Sequence, residues 1–282
     1  MAGRDERGSR PASGRRRNLL RAGFALFVVA GLGGGWSVFS GRGRKIGPLE
    51  EIPGLPGFLR AGGGPVSRRG DFLIGIAPPP GEEGADPAAR AAAAGAARAE
   101  RNALLRDPCA ALFAPPPPSG VVPIAFFTDY NCPYCRVMTG VLSRLEADPG
   151  AGVKIYRHEL AILGEASEMA ARGAIAARRQ GAGEAFHRRL MRSRFLADEN
   201  YMRRLAEGMG LDAEQLLADM ASPETGAEIA RIRALARILG INGTPGLVIG
   251  RIVVVGEISP ARLEALIAHE RGAPLPQACA GG

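Results

Sequence analysis

Apolar residues near the middle of the chain form two short runs separated by a segment with helical spacing. Residues 121–128 (VVPIAFFT) are almost entirely apolar and include β-branched and aromatic side chains, as is typical of a strand buried on both faces. From residue 135 to 148 apolar residues recur at helical spacing, and residues 153–160 (VKIYRHEL) resemble a second strand. The pattern therefore predicts a strand–helix–strand unit.

The pattern after residue 160 is mostly helical. Apolar residues keep a helical period from about 164 to 240, with breaks at glycine, aspartate and proline positions. Two short apolar runs, LVIG and RIVVVG, follow an NGTPG turn, and a last helix begins with Ser259 as its cap and Pro260 in its first turn. The order of strand, helix, strand, helical block, strand, strand and helix indicates an α/β fold.

The part of the chain before residue 121 has a different composition. Residues 85–107 are rich in alanine and predict a helix, with Asp86 as a cap. Residues 41–85 are rich in Gly and Pro and predict a linker. The linker has short apolar anchors at Leu55, Phe58, Phe72 and Ile74. The predicted organisation is a basic tail (1–21), an apolar segment (22–40), the linker (41–85) and a folded domain (86–282).

Residues 22–40 carry no charge and have about the length of one bilayer crossing. Arginines are concentrated before this segment, which predicts a cytoplasmic N-terminus, a single pass through the membrane and an exported domain. No A-x-A-like cleavage site follows, so a retained anchor is favoured over a cleaved signal. RRNLLR, residues 16–21, also resembles a twin-arginine export signal.

The distribution of charge argues against a nucleic-acid partner. Residues 1–45 hold ten basic and two acidic residues, and their net charge of +8 equals that of the whole chain. Residues 46–282 therefore sum to zero and lack the positive surface on which binding to phosphate depends.

The sequence Cys132-Pro133-Tyr134-Cys135 lies where the first predicted strand meets its helix. Unpaired amides and the positive end of the helix dipole favour an anion there, so the Cys132 thiol is predicted to have a lowered pKa. Cys135 is predicted to be shielded and within reach of a disulfide. An exposed thiolate with a buried partner suits thiol–disulfide exchange, in which Cys132 reacts first and Cys135 resolves the mixed disulfide. This chemistry needs no metal or other cofactor.

Two other uses of the cysteine pair are less favoured. A structural zinc site usually needs a second close pair, whereas Cys109 and Cys279 each stand alone and the three histidines show no ligand spacing. A purely structural disulfide between residues three apart closes too small a loop to stabilise the fold much. His158 is predicted to be a packing residue at a strand end, and His187 to lie on a solvated helix face.

Several motifs together resemble one protein family. FTDYNCPYC after an apolar strand, and NGTPGLVIG after a helical block, are similar to the DsbA family of thioredoxin-fold proteins. Residues 156–191 also resemble the membrane-anchored and copper-resistance-linked relatives, and the resemblance covers roughly residues 98–272. It implies a thioredoxin-like fold with a helical insertion at about 164–240, and a periplasmic role in forming or rearranging protein disulfides.

The resemblance also assigns residues that bind substrate. It implies that the Thr244–Pro245 peptide bond is cis and faces the cysteine pair. The backbone of Thr244 would then pair with an extended substrate segment by strand addition. Pro133 and Tyr134, between the cysteines, complete the predicted substrate-binding set.

Two positions depart from the family. Relatives often carry a glutamate six residues before the first cysteine, as a proton acceptor for the resolving thiol, and this chain has Phe126 there. A proline common after the second strand is Ala161. Glu159 is a candidate to replace the missing glutamate beside Cys135.

The fold implied by the resemblance also predicts a disulfide. Its first strand runs toward the active-site end, which places Cys109 at the opposite pole of the domain. The last helix ends at that same pole and delivers Cys279 there. In an oxidising compartment these two thiols are predicted to pair.

These features favour a membrane-anchored oxidase that forms disulfides in exported proteins containing cysteines and is re-oxidised by a quinone-coupled membrane partner. An isomerase or reductase of the same fold, kept reduced by a membrane thiol donor, remains an alternative. A copper-binding chaperone that uses the two thiols as soft ligands is a third.

Overall fold

The structure, a computed structural model, describes residues 46–68 and 87–273. The basic tail, the apolar segment 22–40, the anchors Phe72 and Ile74, the cap Asp86 and Cys279 lie outside these residues. Among the helices that are described, none is long and apolar enough to cross a bilayer.

The described chain alternates short strands with helices. The strands are β1 (Leu49–Glu51), β2 (Leu59–Ala61), β3 (Val122–Thr128), β4 (Val153–Glu159), β5 (Gly246–Ile249) and β6 (Ile252–Val255). The helices are α1 (Pro87–Arg106), α2 (Pro108–Leu112), α3 (Pro133–Ala147), α4 (Glu165–Arg179), α5 (Gly183–Arg192), α6 (Glu199–Glu207), α7 (Ala213–Ala221), α8 (Pro223–Ile238) and α9 (Pro260–Glu270). The predicted strand–helix–strand unit, the helical block and the closing hairpin and helix are all confirmed.

The strands form one mixed sheet in the order β1-β2-β6-β5-β3-β4. β3 pairs with β4 in parallel and with β5 in antiparallel orientation, so it is an inner strand. Every residue of β3 is buried, which explains why its sequence is apolar without alternation. Because the chain leaves β3 at Thr128 and enters α3 at Pro133, the cysteine pair lies at the end of this strand.

Helices cover both faces of the sheet, because alternate strand residues point to opposite sides. Ile124 and Phe126 of β3 belong to a core with α3, α9 and the insertion helices. Ala125 and Phe127 belong to a second core with α1, α2 and α8. The result is a three-layer α/β arrangement of the thioredoxin-like kind, in which α4 to α8 form the helical insertion.

The linker predicted at 41–85 is wrong for residues 46–68. β2 pairs in parallel with β6, and the loop between β1 and β2 buries Ile52, Leu55 and Phe58 in the second core. Leu55 and Phe58 therefore act as apolar anchors, as predicted, but they belong to the folded unit that begins at Ile46. Its short strands are stabilised by tertiary pairing, which local composition does not reveal.

Candidate active site

The thiol of Cys132 caps the N-terminus of α3. Cys132 has an extended backbone (φ −84°, ψ 118°), and its Sγ accepts a hydrogen bond of 3.3 Å from the Cys135 N–H. Pro133 occupies the first turn, where its missing N–H leaves no helix hydrogen bond unmade. The predicted position of the pair at the strand–helix junction is confirmed.

The two thiols have opposite pKa shifts. The pKa of Cys132 falls from 9.0 to about 6, because the Cys135 thiol hydrogen-bonds to it and outweighs the effect of burial. Hydrogen bonds from the Ser67 side chain and the Cys135 backbone lower it further. Burial raises the pKa of Cys135 well above its usual value, and the neighbouring Cys132 raises it further. Cys132 is therefore the thiolate at neutral pH, and Cys135 stays protonated.

The prediction of an exposed Cys132 beside a shielded Cys135 is wrong for the first residue, because both free cysteines have 0% exposure. Pro133 is exposed and Tyr134 is half-buried. A segment of the chain that composition assigned to the linker lies against Cys132, through Ser67.

The loop before β5 faces Cys132. The Thr244–Pro245 peptide bond is cis, as predicted. The carbonyl oxygen of Thr244 lies 3.2 Å from Cys132 Sγ, and it accepts a hydrogen bond from the thiol when Cys132 is protonated. The structure thus brings Thr244 and Pro245 together with the cysteine pair, and their role in binding substrate stays a prediction.

Asp129, which directly follows β3 and was not among the predicted site residues, organises the loop before α3. It is 1% exposed, and its carboxylate accepts four hydrogen bonds. Oδ1 accepts from the Asn131 N–H (2.8 Å) and the Ser167 hydroxyl (2.7 Å), and Oδ2 from the N–H groups of Ile162 (2.8 Å) and Leu163 (3.0 Å). This carboxylate joins the cysteine loop to the loop after β4. The sequence signal that could have identified this residue is an aspartate placed directly after a buried strand.

A buried polar network lies beneath the cysteine helix. Tyr130 Oη is 3.0 Å from His187 Nδ1, and His187 Nε2 is 3.2 Å from the Thr139 hydroxyl. The predicted solvated face for His187 is wrong, since its side chain is 1% exposed. Burial, with the positive charges of Arg157 and Arg188, lowers the His187 pKa to about 3. His187 is therefore a neutral structural residue.

Glu159, the candidate proton acceptor, and His158 lie at the end of β4. Glu159 is 3% exposed, and burial raises its pKa to about 7. Tyr130 is one of the groups that act on the pKa of Glu159, whereas the strand side chain that acts on the pKa of the Cys135 thiol is Thr128. His158 stacks on Phe127 at 4.7 Å, and burial lowers its pKa to about 4. The packing role predicted for His158 is confirmed.

Cys109 is 5% exposed and takes part in a disulfide, unlike the two active-site thiols. Cys279 lies outside the described residues, so their pairing stays a prediction. No cluster of histidine, cysteine or acidic side chains suited to a metal ion occurs within 46–68 and 87–273.

A thioredoxin-like fold in which a low-pKa cysteine caps a helix, three residues before a buried second cysteine, defines a thiol–disulfide oxidoreductase. The family model described as the DSBA-like thioredoxin domain matches residues 123–268. The chain belongs to this family and is a protein thiol:disulfide oxidoreductase.

Solved structures show the same likeness. A thioredoxin-like oxidoreductase from Silicibacter pomeroyi is 42% identical, with a TM-score of 0.54, over 58% of this chain and 98% of that one. The thiol-disulfide exchange protein alpha-DsbA2 from Wolbachia pipientis is 20% identical, with a TM-score of 0.52, over 63% and 97%. Proteus mirabilis ScsC in a transitional conformation is 22% identical, with a TM-score of 0.54, over 66% and 88%. The last two show a common fold, and no curated protein matches the sequence.

Proposed function

We propose that the protein is an oxidase that forms disulfides in exported proteins by exchange at Cys132 and Cys135. The observation that carries the proposal is the lowered pKa of Cys132, about 6, beside a Cys135 whose pKa is raised. Stabilising the thiolate favours the reduced form of the pair, and a disulfide whose reduced form is favoured is a good oxidant.

The reaction begins with the Cys132–Cys135 disulfide. A substrate thiolate attacks Cys132 Sγ, a substrate–Cys132 disulfide forms, and the bond to Cys135 breaks. Cys135 takes up a proton, as its raised pKa favours. A second substrate thiolate then attacks the substrate sulfur of the mixed disulfide, and Cys132 leaves as a thiolate. The substrate loses two electrons and two protons, and the enzyme gains the electrons as two reduced cysteines.

The proposed place of action is supported by the sequence before the folded unit. The arginine-rich tail and the uncharged segment 22–40 support a single-pass anchor in the inner membrane, with the catalytic domain in the periplasm. There the reduced pair would pass its two electrons to a quinone-coupled membrane oxidase. Membrane fractionation tests the anchor: full-length protein in the membrane supports it, and a soluble product starting after about residue 40 indicates a cleaved signal.

The reduction potential of the Cys132–Cys135 pair tests the direction of exchange. We expect a value near that of strong oxidants, about −120 mV, when the protein is equilibrated in glutathione buffers. A value near that of reductants, about −270 mV, would favour the isomerase or reductase alternative. Tight one-to-one Cu(I) binding without turnover of a reduced, unfolded substrate would favour the copper chaperone.

Trapping tests the order of the two cysteines. In a Cys135→Ser variant the Cys132 thiolate can still attack a substrate disulfide and release one substrate thiolate, but no Cys135 thiol is present to break the mixed disulfide that forms. Mixed disulfides between Cys132 and substrates should therefore accumulate and be visible by non-reducing electrophoresis. A Cys132→Ser variant is the matched control and should trap little. Equal trapping by both variants would contradict the assignment of Cys132 as the reacting thiol.

A further inference from the structure

Residues 63–68, which follow β2, run as an extended segment past the end of β6 to the loop of Thr244. The Gly64 N–H donates to the Val255 carbonyl (3.3 Å), and the Pro65 carbonyl accepts from the Glu257 N–H (2.8 Å). This segment, called here the strap, therefore continues the pairing of β2 alongside β6 toward the active site.

The strap ends in a two-way backbone pairing with Thr244. The Ser67 N–H donates to the Thr244 carbonyl, the Thr244 N–H donates to the Ser67 carbonyl, and both distances are 2.8 Å. The pairing is antiparallel. These two backbone groups of Thr244 are the ones expected to pair with an extended substrate, and the same carbonyl also accepts from Cys132 Sγ.

Alternate residues of the strap face opposite sides. A Cβ added at Gly243 would lie 2.5 Å from Val66 Cγ2 and 2.9 Å from Arg68 Cγ, so these two side chains face the Gly243 side. The Ser67 side chain instead acts on the Cys132 thiol, whose pKa it lowers, and the Ser67 backbone pairs with the Thr244 carbonyl that lies 3.2 Å from Cys132 Sγ. Ser67 therefore presents an oxygen where a bound substrate cysteine would present its sulfur.

Glycines on both sides permit this close approach. A Cβ at Gly63 would overlap the Val255 carbonyl oxygen, and one at Gly64 would overlap the Glu257 carbonyl oxygen. On the opposite side, a Cβ at Gly256 would overlap the Gly64 carbonyl. The strap therefore fits its groove only because Gly63, Gly64 and Gly256 have no side chains.

We propose that the strap occupies the peptide-binding groove of the enzyme as an unreactive stand-in, with Ser67 in the place of the substrate cysteine, and that substrates must displace it to reach Cys132. This inference rests on the proposed function. The partner class it defines is an extended polypeptide carrying a cysteine, with the smallest residues three and four positions before that cysteine. Serine cannot form a disulfide, so the strap covers the thiol without being consumed.

Cross-linking tests the register of the strap. Ser67→Cys combined with Cys135→Ser should form a disulfide between position 67 and Cys132 when the folded protein is treated with diamide. Arg68→Cys in the same background is the matched control, because its side chain faces the other side, and it should cross-link little. Peptide mapping by mass spectrometry measures both. No cross-link at position 67, or equal cross-linking in the two variants, would overturn the proposal.

Opening the strap tests its effect on access. In the Cys135→Ser background, Gly63→Ala with Gly64→Ala should displace the strap and raise the alkylation rate of Cys132 about tenfold. The rate is proportional to the fraction of molecules in which the strap has left Cys132. A synthetic peptide Gly-Gly-Pro-Val-Cys-Arg, activated as its 2-thiopyridyl disulfide, should react faster by a similar factor. Gly62→Ala is the matched control, since its Cβ would lie 3.9 Å from the nearest atom, on Arg262. Unchanged rates in a folded double variant would overturn the proposal.

These readouts are independent of the direction of exchange. If cross-linking and alkylation behave as expected but no substrate is oxidised, the proposed oxidase function fails and the strap stands. If substrate is oxidised but position 67 does not cross-link, the strap fails and the oxidase function stands.

Discussion

The ionisation of Cys132 can be tested against pH, because its pKa falls from 9.0 to about 6 in the folded protein. At pH 7 a thiol with a pKa of about 6 is about 90% thiolate, whereas one with the ordinary pKa is about 1% thiolate. We expect the thiolate absorbance of the reduced protein to rise in one transition near pH 6. The same transition should be missing from a Cys132→Ser variant.

The same shift makes the stability of the reduced protein depend on pH. Unfolded Cys132 keeps its proton up to about pH 9, and folded Cys132 releases it above about pH 6. The stabilisation is therefore fully present above pH 9 and is lost as the pH falls through 6. It amounts to about 1.4 kcal/mol at pH 7 and approaches about 4 kcal/mol above pH 9. At pH 7 this favours reduction of the active-site disulfide by about 30 mV.

Urea unfolding of the reduced protein measures this difference. The free energy of unfolding of the wild type, minus that of Cys132→Ser, should rise by about 1.4 kcal/mol per pH unit between pH 6 and 9. A difference that stays constant over this range, or an absorbance transition above pH 8, would refute the lowered pKa.

Asp129→Asn should lower the free energy of unfolding by about 2–4 kcal/mol. The substitution replaces one carboxylate oxygen, which accepts hydrogen bonds, with an NH2 group, which can only donate them. Ser167→Ala, which removes one of the four donors, is the smaller control at about 1 kcal/mol, and equal losses in urea unfolding would contradict this. Glu159 has a pKa raised from 4.5 to about 7, so its contribution to stability is full below pH 4.5 and is lost as the pH rises through 7. Relative to Glu159→Gln, the wild type should lose about 1.4 kcal/mol per pH unit in this window; parallel stability curves would contradict the buried neutral carboxyl. Mass mapping of the non-reduced protein should find a peptide in which Cys109 is linked to Cys279 and that survives mild reduction. This disulfide would stabilise the fold by at most about 5 kcal/mol. A peptide in which Cys109 is linked to any other cysteine would contradict the pairing.

Local sequence signals predicted the elements that hold the cysteine pair. The unbroken apolar run of β3 and the helical period after Cys132 each depend on neighbouring residues, and Pro133 marks the first turn of α3. The direction of the Cys132 pKa shift also followed from local sequence, because its largest cause is the Cys135 thiol three residues on, whereas the contribution of Ser67 comes from a distant contact. The cis bond before Pro245 came from family resemblance, since a typical X–Pro bond is trans.

Features made by distant contacts were not predictable in the same way. β1 and β2 have three residues each, too few for a periodic pattern, and β2 is held by its pairing with β6. His187 has two arginines directly after it, which suggested a solvated face. Its helix instead buries a stripe of apolar residues, and His187 lies within that stripe: Phe186, His187, Leu190 and Met191 are all buried. The sequence alone does not show which face of this helix packs against the core, so the stripe could not be assigned in advance.

The pairing of β2 with β6 has a consequence for any shortened form of this protein. β6 is rich in β-branched residues, and Ile252 to Val254 are fully buried. A chain cut at residue 86, the boundary that composition suggests, would leave this apolar strand with an open edge of unpaired backbone groups. Such edges recruit strands from other molecules and lead to aggregation. Residues 46–61 therefore act as a built-in cover against self-association, and a soluble catalytic fragment should begin before Ile46.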